Sequence, residues 1–107
     1  MDKFYLKTLN VSAEGILSDG KFIVLKGSKA RKELAPSFPK TQIEKREVLI
    51  SSGVLADDGK CFVFSENYPC NSPSEASNLI TGTSSNGPMC WKDSFGKTLK
   101  SCLRTQL

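Results

Sequence analysis

The side chains that could do chemistry in this chain are serines, lysines, carboxylates and cysteines, because its 107 residues include no histidine. A histidine general base is therefore excluded, and with it the Ser-His and Cys-His nucleophile pairs. The adjacent carboxylates Asp57 and Asp58 stand between two apolar runs, where aspartates are typical of a tight turn. We accordingly expect a protein that is not an enzyme and that needs no cofactor.

The four cysteines do not have the spacing of a metal site. They stand at positions 61, 70, 90 and 102, so that none of their intervals is the C-x2-4-C of a zinc ligand pair. We therefore predict no metal. The apolar runs are short and residues 1–7 carry no export signal, which favours a cytoplasmic protein with reduced, structural thiols. A disulfide is the alternative, since the number of cysteines is even.

One candidate anion site is the start of a predicted helix in the stretch SPSE at residues 72–75. Helix N-termini present free N–H groups that bind phosphates, and the hydroxyls of Ser72 and Ser74 stand beside them. The same stretch also fits a capping box, in which the serine and the glutamate satisfy these N–H groups themselves. The sequence alone is compatible with either a phosphate contact or a plain helix cap at this position.

The single tryptophan also has two interpretations. Trp91 is either a core residue or a ring that stacks on a nucleic-acid base or cages a flipped one. Asn86, in the turn before it, is the accompanying polar candidate.

Positive charge is concentrated in two parts of the chain, whose net charge is +4. Residues 21–46 hold eight basic and two acidic side chains, and residues 86–107 hold four and one. Such a basic surface attracts phosphates, although solvated lysines would give the same pattern. The basic residues that we predict to contact phosphates are Lys26, Lys29, Arg31, Lys32, Lys92 and Lys97.

The elements that must position these residues follow the order ββα–ββα–β. Turn signals and apolar runs predict two hairpins, and capping signals predict two main helices. We therefore expect one α+β domain over residues 1–107, with an antiparallel sheet made from the two hairpins and a further strand. The predicted strands are 6–13, 22–25, 54–56, 61–64 and 89–92; the predicted helices are 42–52 with a Thr41 capping box, a second from Ser72 to Gly82, and a short one at 98–103.

Short motifs along most of the chain resemble a known family. In order they are KGSKA (26–30), SGVL (52–55), SPS (72–74), SNG (85–87), WKD (91–93) and GKTL (96–99). Together they resemble the small bacterial domain of unknown function that follows GIY-YIG nuclease domains or accompanies restriction–modification genes. The SPS…NG…W portion is similar to RAMA domains, which implies DNA binding and sensing of its modification state. The chain has no GIY-YIG motif, so the resemblance implies an accessory module and not the nuclease itself.

Two functions fit these observations. The first is a nucleic-acid-binding module, in which the basic residues hold DNA phosphates while Ser72, Ser74 and Asn86 orient them. The second is a docking module for a nuclease or methyltransferase partner. We expect no membrane association in either case.

Overall fold

The computed structural model describes residues 3–8, 11–83 and 87–100, without the side chains of residues 87 and 88. The strands in this part of the chain are β1 (Lys3–Thr8), β2 (Val11–Ser18), β3 (Lys21–Val24), β4 (Lys29–Arg31), β5 (Leu55–Asp57), β6 (Cys61–Phe64) and β7 (Tyr68–Cys70). The helices are α1 (Lys40–Ser51), α2 (Pro73–Thr81) and the single turn α3 (Gly87–Cys90).

The described strands pair antiparallel in two sheets. One sheet has the order β1-β2-β3-β7, and the other has the order β4-β6-β5. The hairpin β2–β3 lies in the first sheet and the hairpin β5–β6 lies in the second. Residues 6–13, predicted as one strand, belong to two, because β1 and β2 pair with Leu6 opposite Ala13. The α+β class with antiparallel strands and two main helices is confirmed.

Helix α2 occupies the centre of the fold and packs against strands of both sheets. It begins as the sequence predicts, because the Ser72 Oγ accepts a hydrogen bond from the Glu75 N–H at 3.1 Å and Pro73 occupies the first helical position. It ends at Gly82, whose φ of 74° is the left-handed conformation that favours glycine. Its buried residues are Ala76, Ser77, Leu79, Ile80 and Thr81.

Two arginines stabilise the carbonyl end of α2. Arg46 of α1 donates from Nη1 to the Leu79 carbonyl and from Nη2 to the Arg31 carbonyl, both at 2.5 Å. Arg31 itself donates from Nη1 to the Thr81 carbonyl at 3.3 Å. Cations at this end complement the helix dipole and satisfy carbonyls that have no partner within the helix. Arg46 is only 3% exposed, and its desolvation lowers the pKa of the guanidinium.

Two glycines allow close approaches that a side chain would block. A Cβ at Gly15 would lie 2.3 Å from Cε1 of Phe22, so the absence of a side chain makes room for the Phe22 ring. A Cβ at Gly82 would lie 2.4 Å from the Glu33 carbonyl oxygen. The loop after β4 can therefore lie directly on the end of α2, where the Ala35 N–H donates to the Gly82 carbonyl at 2.9 Å.

Helix α1 departs from the prediction at its start. The sequence predicts residues 42–52 with a capping box at Thr41, but the helix spans Lys40–Ser51 and its N-cap is Pro39, without a side-chain cap. The Thr41 capping box is therefore wrong. The ring of Pro39 fixes its φ near −58°, and its carbonyl accepts the first helical hydrogen bonds, so this proline starts the helix without a hydroxyl.

The predicted strand over residues 89–92 is also wrong. Residues Gly87–Cys90 form α3. Of this stretch only Lys92 forms β-bridges, which are isolated and join it to Tyr5 and Thr98. Pro88 lies in the first turn of α3, the position that proline favours, whereas the apolar run after it favours a strand. Of the helix predicted at 98–103, the residues after 100 lie outside the described part.

The thiol of Cys70 should resist alkylation in the folded protein. Burial raises its pKa to about 12, so that roughly one thiol in ten thousand is ionised near pH 8. Cys90 is only half-buried, and we expect iodoacetamide to modify it before the buried Cys61 and Cys70. Peptide mass mapping of native and urea-treated protein measures the alkylation rates of Cys70 and Cys90. Native Cys70 reacting as fast as Cys90 would contradict the buried position of the Cys70 side chain.

Candidate nucleic-acid interface

The first strand separates apolar and basic side chains onto opposite faces. Phe4 and Leu6 are buried in the core, at 5% and 2% exposure, whereas the side chains of Lys3, Tyr5 and Lys7 lie on the other face. This alternation follows from the two-residue period of a strand. Tyr5 is half-buried and has a lysine two residues away on either side. The outer face of the four-stranded sheet thus carries an aromatic ring between two cations.

A third lysine joins this face through a contact between distant parts of the chain. The Tyr5 N–H donates to the Lys92 carbonyl at 2.6 Å, and the Lys92 N–H donates to the Tyr5 carbonyl at 2.9 Å. Directly opposed residues of an antiparallel pair have their side chains on the same face. Lys92 is exposed and therefore lies beside Tyr5. We call the group formed by Lys3, Tyr5, Lys7 and Lys92 the Tyr5 surface.

Three clefts of about 500 to 530 Å³ include Lys7 in their lining. The first lies between Tyr5 and Lys26, and the second lies between Tyr5 and the turn at residues 93–96. The third brings Lys7 and Lys92 together with Arg31. Three of the predicted phosphate contacts, Lys26, Arg31 and Lys92, are therefore placed around a lysine that the sequence reasoning did not include.

The carboxylates that border these clefts already have partners. Glu14 forms an ion pair with Lys3 at 3.9 Å, across the strands β1 and β2. Asp93 accepts hydrogen bonds on Oδ1 from the backbone N–H groups of Phe95 and Lys97, both at 2.9 Å. Part of each negative charge is thereby offset locally, and the exposed lysines give the clefts their positive character.

Two other predicted cations lie on the second sheet. Lys29 is exposed on β4, opposite Val63 of β6. The Lys32 ammonium donates to Asp57 Oδ1 at 2.7 Å and to the Gly59 carbonyl at 2.9 Å, and it lies 5.4 Å from the centre of the Phe62 ring. The hydrogen bond from Lys32 lowers the pKa of the Asp57 carboxyl. Lys32 therefore holds the β5–β6 turn and is less available to a phosphate.

The N-terminus of α2 is occupied by the chain's own carboxylate. Glu75 accepts a hydrogen bond on Oε2 from the Asn71 N–H at 2.7 Å, and its Oε1 forms an ion pair with Lys45. The Ser72 oxygens accept from the N–H groups of Glu75 and Ala76. Ser74 is half-buried, and its carbonyl accepts from the Ser77 hydroxyl at 3.0 Å. The N-terminus of α2 is thus a helix cap whose N–H groups are engaged by Ser72 and whose carboxylate comes from Glu75. We therefore leave Ser72 and Ser74 out of the interface.

Trp91 belongs to the core. Its side chain is fully buried, its ring centre lies 4.5 Å from that of Phe22, and its Nε1 donates to the Pro73 carbonyl at 3.1 Å. A base could reach this ring only if the core opened, so Trp91 is not part of the candidate interface. Asn86 lies outside the described residues. Lys97 is exposed, in the segment that follows the turn at 93–96.

No group of three or more Cys, Asp or Glu side chains placed to hold a metal ion occurs among the described residues. The helices of the described residues are also too short or too polar to cross a membrane.

Sequence reasoning missed Lys3, Tyr5 and Lys7, although a local signal was present. The stretch KFYLK alternates polar and apolar residues, a pattern that places both lysines and the tyrosine on one strand face. The contribution of Lys92 has no such signal, because its bridge to Tyr5 joins residues far apart in sequence.

The fold and this surface define a small α+β domain with two antiparallel sheets, one of which has a basic outer face around a tyrosine. A family model described as a domain of unknown function, DUF4357, matches residues 4–103. The chain therefore belongs to the DUF4357 family. No curated protein and no solved structure gave a significant match.

Proposed function

We propose that this domain is a non-catalytic accessory module that binds DNA through the Tyr5 surface and the clefts beside it. The main supporting observation is the placement of Lys7 and Lys92 on one face, with Lys26 at the border of an adjoining cleft. Arg31 borders another cleft, but its guanidinium also contacts Glu33 and the Thr81 carbonyl. Phosphate contacts by lysine and arginine supply most of the affinity of sequence-independent binding. The resemblance described above supports a nuclease or restriction–modification context in the bacterial cytoplasm.

The test is the binding of a fluorescently labelled duplex of about 20 base pairs, measured by anisotropy from about 50 to about 200 mM salt. We expect affinity to fall steeply with salt, because bound phosphates release counterions. A second duplex containing N6-methyladenine tests whether the modification state matters. Binding that does not depend on salt would contradict the proposal.

The double variant Lys7→Glu, Lys92→Glu should weaken duplex binding by at least about tenfold and reduce the salt slope by about two. Each substitution replaces a cation of the Tyr5 surface by an anion on an exposed side chain. The double variant Lys40→Glu, Lys60→Glu changes two exposed lysines away from the Tyr5 surface and makes the same change in net charge. It is the matched control and should change affinity by less than about twofold. An equal effect of both variants would show general attraction of the protein to DNA and no defined surface.

The variant Lys29→Glu tests whether the interface is the Tyr5 surface or the rest of the basic stretch at residues 21–46. Because Lys29 lies on β4 of the other sheet, we expect a smaller loss of affinity than from the Lys7 and Lys92 changes. A larger loss would move the interface to the three-stranded sheet.

Docking to a nuclease or methyltransferase is the second candidate. It is favoured by Val48 of α1, which exposes 65% of its surface although it is apolar. Absence of binding to both duplex and single-stranded DNA at low salt would support docking over DNA binding.

A further inference from the structure

The most exposed large apolar residue in the described chain lies next to the Tyr5 surface. Phe95 is 89% exposed, whereas Phe4, Phe22, Phe38 and Phe64 are each 5% exposed or less. An aromatic ring with this exposure adds little to the packing of the described residues. A single exposed apolar side chain is ordinary on a protein surface, so Phe95 becomes informative through the groups beside it.

The turn that carries Phe95 is held by its own hydrogen bonds. Asp93 Oδ1 accepts from the backbone N–H groups of Phe95 and Lys97, and the Asp93 carbonyl accepts from the Gly96 N–H at 3.0 Å. The Asp93 N–H donates to the Lys97 carbonyl at 2.8 Å. Gly96, with a φ of 86°, takes the left-handed conformation that closes the turn. The Phe95 ring is thus presented by an ordered backbone.

The same turn forms one wall of a basic cleft. Ser94 and Gly96, the neighbours of Phe95, line the cleft of about 520 Å³ that also includes Tyr5, Lys7 and Lys92. This cleft therefore combines two cations with one half-buried aromatic ring. Phe95, which is 89% exposed, lies in the chain between two residues that line the cleft, Ser94 and Gly96. The one carboxylate of the cleft, on Asp93, is engaged by the turn.

We propose that this cleft binds unpaired nucleotides, with a base stacked on Phe95, a second base against Tyr5, and phosphates on Lys7 and Lys92. In a duplex the flat faces of the bases are covered by their neighbours, and only phosphates and groove edges are available. A single strand offers its base faces, for which exposed aromatic rings beside lysines are the usual partners. The proposal rests on the proposed function and names the form of nucleic acid that the same surface prefers.

The experiment compares an oligothymidine of about 12 nucleotides with the labelled duplex at one salt concentration, for the wild-type protein and for three variants. Phe95→Leu keeps an apolar side chain but removes the aromatic face, whereas Phe95→Trp keeps an aromatic face at this position. Val48→Ala, at an exposed position of α1, is the control for loss of an exposed apolar side chain. Circular dichroism checks that each variant is folded, which the exposure of both positions leads us to expect.

We expect Phe95→Leu to weaken oligothymidine binding by about tenfold or more, Phe95→Trp to retain it, and Val48→Ala to leave it unchanged. Duplex binding should change by less than about twofold in all three variants.

Equal affinity of the wild-type protein for both nucleic acids, with no effect of Phe95→Leu, would overturn the inference and leave the proposed function standing. A loss of duplex binding as large as the loss for the single strand would also overturn it. Failure to bind either nucleic acid would remove both proposals.

Discussion

Replacing Trp91 by alanine should destabilise the fold by about 4 kcal/mol, the largest effect that we expect from a single substitution. The indole is fully buried and contacts the Phe22 ring at 4.5 Å between ring centres. Its removal would leave a large cavity between the four-stranded sheet and α2. It would also remove the hydrogen bond from Nε1 to the Pro73 carbonyl, which joins this segment to the first turn of α2. A domain of this size has a free energy of unfolding of about 5 to 15 kcal/mol, so the loss is a large fraction of it.

Urea unfolding followed by circular dichroism measures this effect, since the variant has no tryptophan for fluorescence. Trp91→Phe is the matched control, because it keeps an aromatic ring and loses the Nε1 donor, at a cost of about 1 to 2 kcal/mol. Trp91→Phe should also bind nucleic acid as the wild-type protein does. A Trp91→Phe protein of wild-type stability that fails to bind would instead support base recognition by the indole.

Replacing Arg46 by methionine should destabilise the protein by about 3 kcal/mol. The Arg46 guanidinium donates to carbonyls in two different elements, Leu79 of α2 and Arg31 of β4. Methionine fills a similar volume but offers no donor, and two acceptors in the interior would lose their partner. The centre of the guanidinium also lies 5.7 Å from the centre of the Phe62 ring. Arg46 therefore connects α1 with α2 and with the strands β4 and β6.

Thermal and urea unfolding of Arg46→Met, Arg46→Lys and Lys40→Met separate the contribution of the two Arg46 hydrogen bonds from that of its charge. Arg46→Lys keeps the charge but cannot make both planar contacts at once, so we expect an intermediate loss. Lys40→Met changes an exposed residue at the start of α1 and should alter stability by less than about 0.5 kcal/mol. Wild-type stability in Arg46→Met would mean that the two carbonyls find other donors.

Features that depend on a few neighbouring residues could be predicted from the sequence. The cap at Ser72, the proline at the first position of α2 and the left-handed Gly82 act within one or two helical turns. The turn between β5 and β6 is likewise local, because Asp57 Oδ1 accepts from the Gly59 N–H at 2.8 Å and Gly59 has a φ of 90°. Such interactions form wherever the short sequence occurs, so the sequence alone indicates them.

Features that depend on pairing between distant residues could not be predicted in this way. The strand β7 has only three residues, Pro69 among them, and it is a strand because it pairs with β3. Lys92 shares a face with Tyr5 because of two backbone hydrogen bonds between opposite ends of the chain. Lys32 is withdrawn from the basic surface by Asp57, a partner 25 residues away.

The composition determined that the domain is basic and has no histidine chemistry, while tertiary structure decided which lysines share a surface. Charge adds up along the sequence regardless of fold, whereas a binding surface requires side chains on the same face of one sheet. Strand alternation places Lys3, Tyr5 and Lys7 together, and only tertiary pairing adds Lys92. Burial is also decided in three dimensions, so Trp91 is enclosed by the core while Phe95, four residues later, is left in solvent.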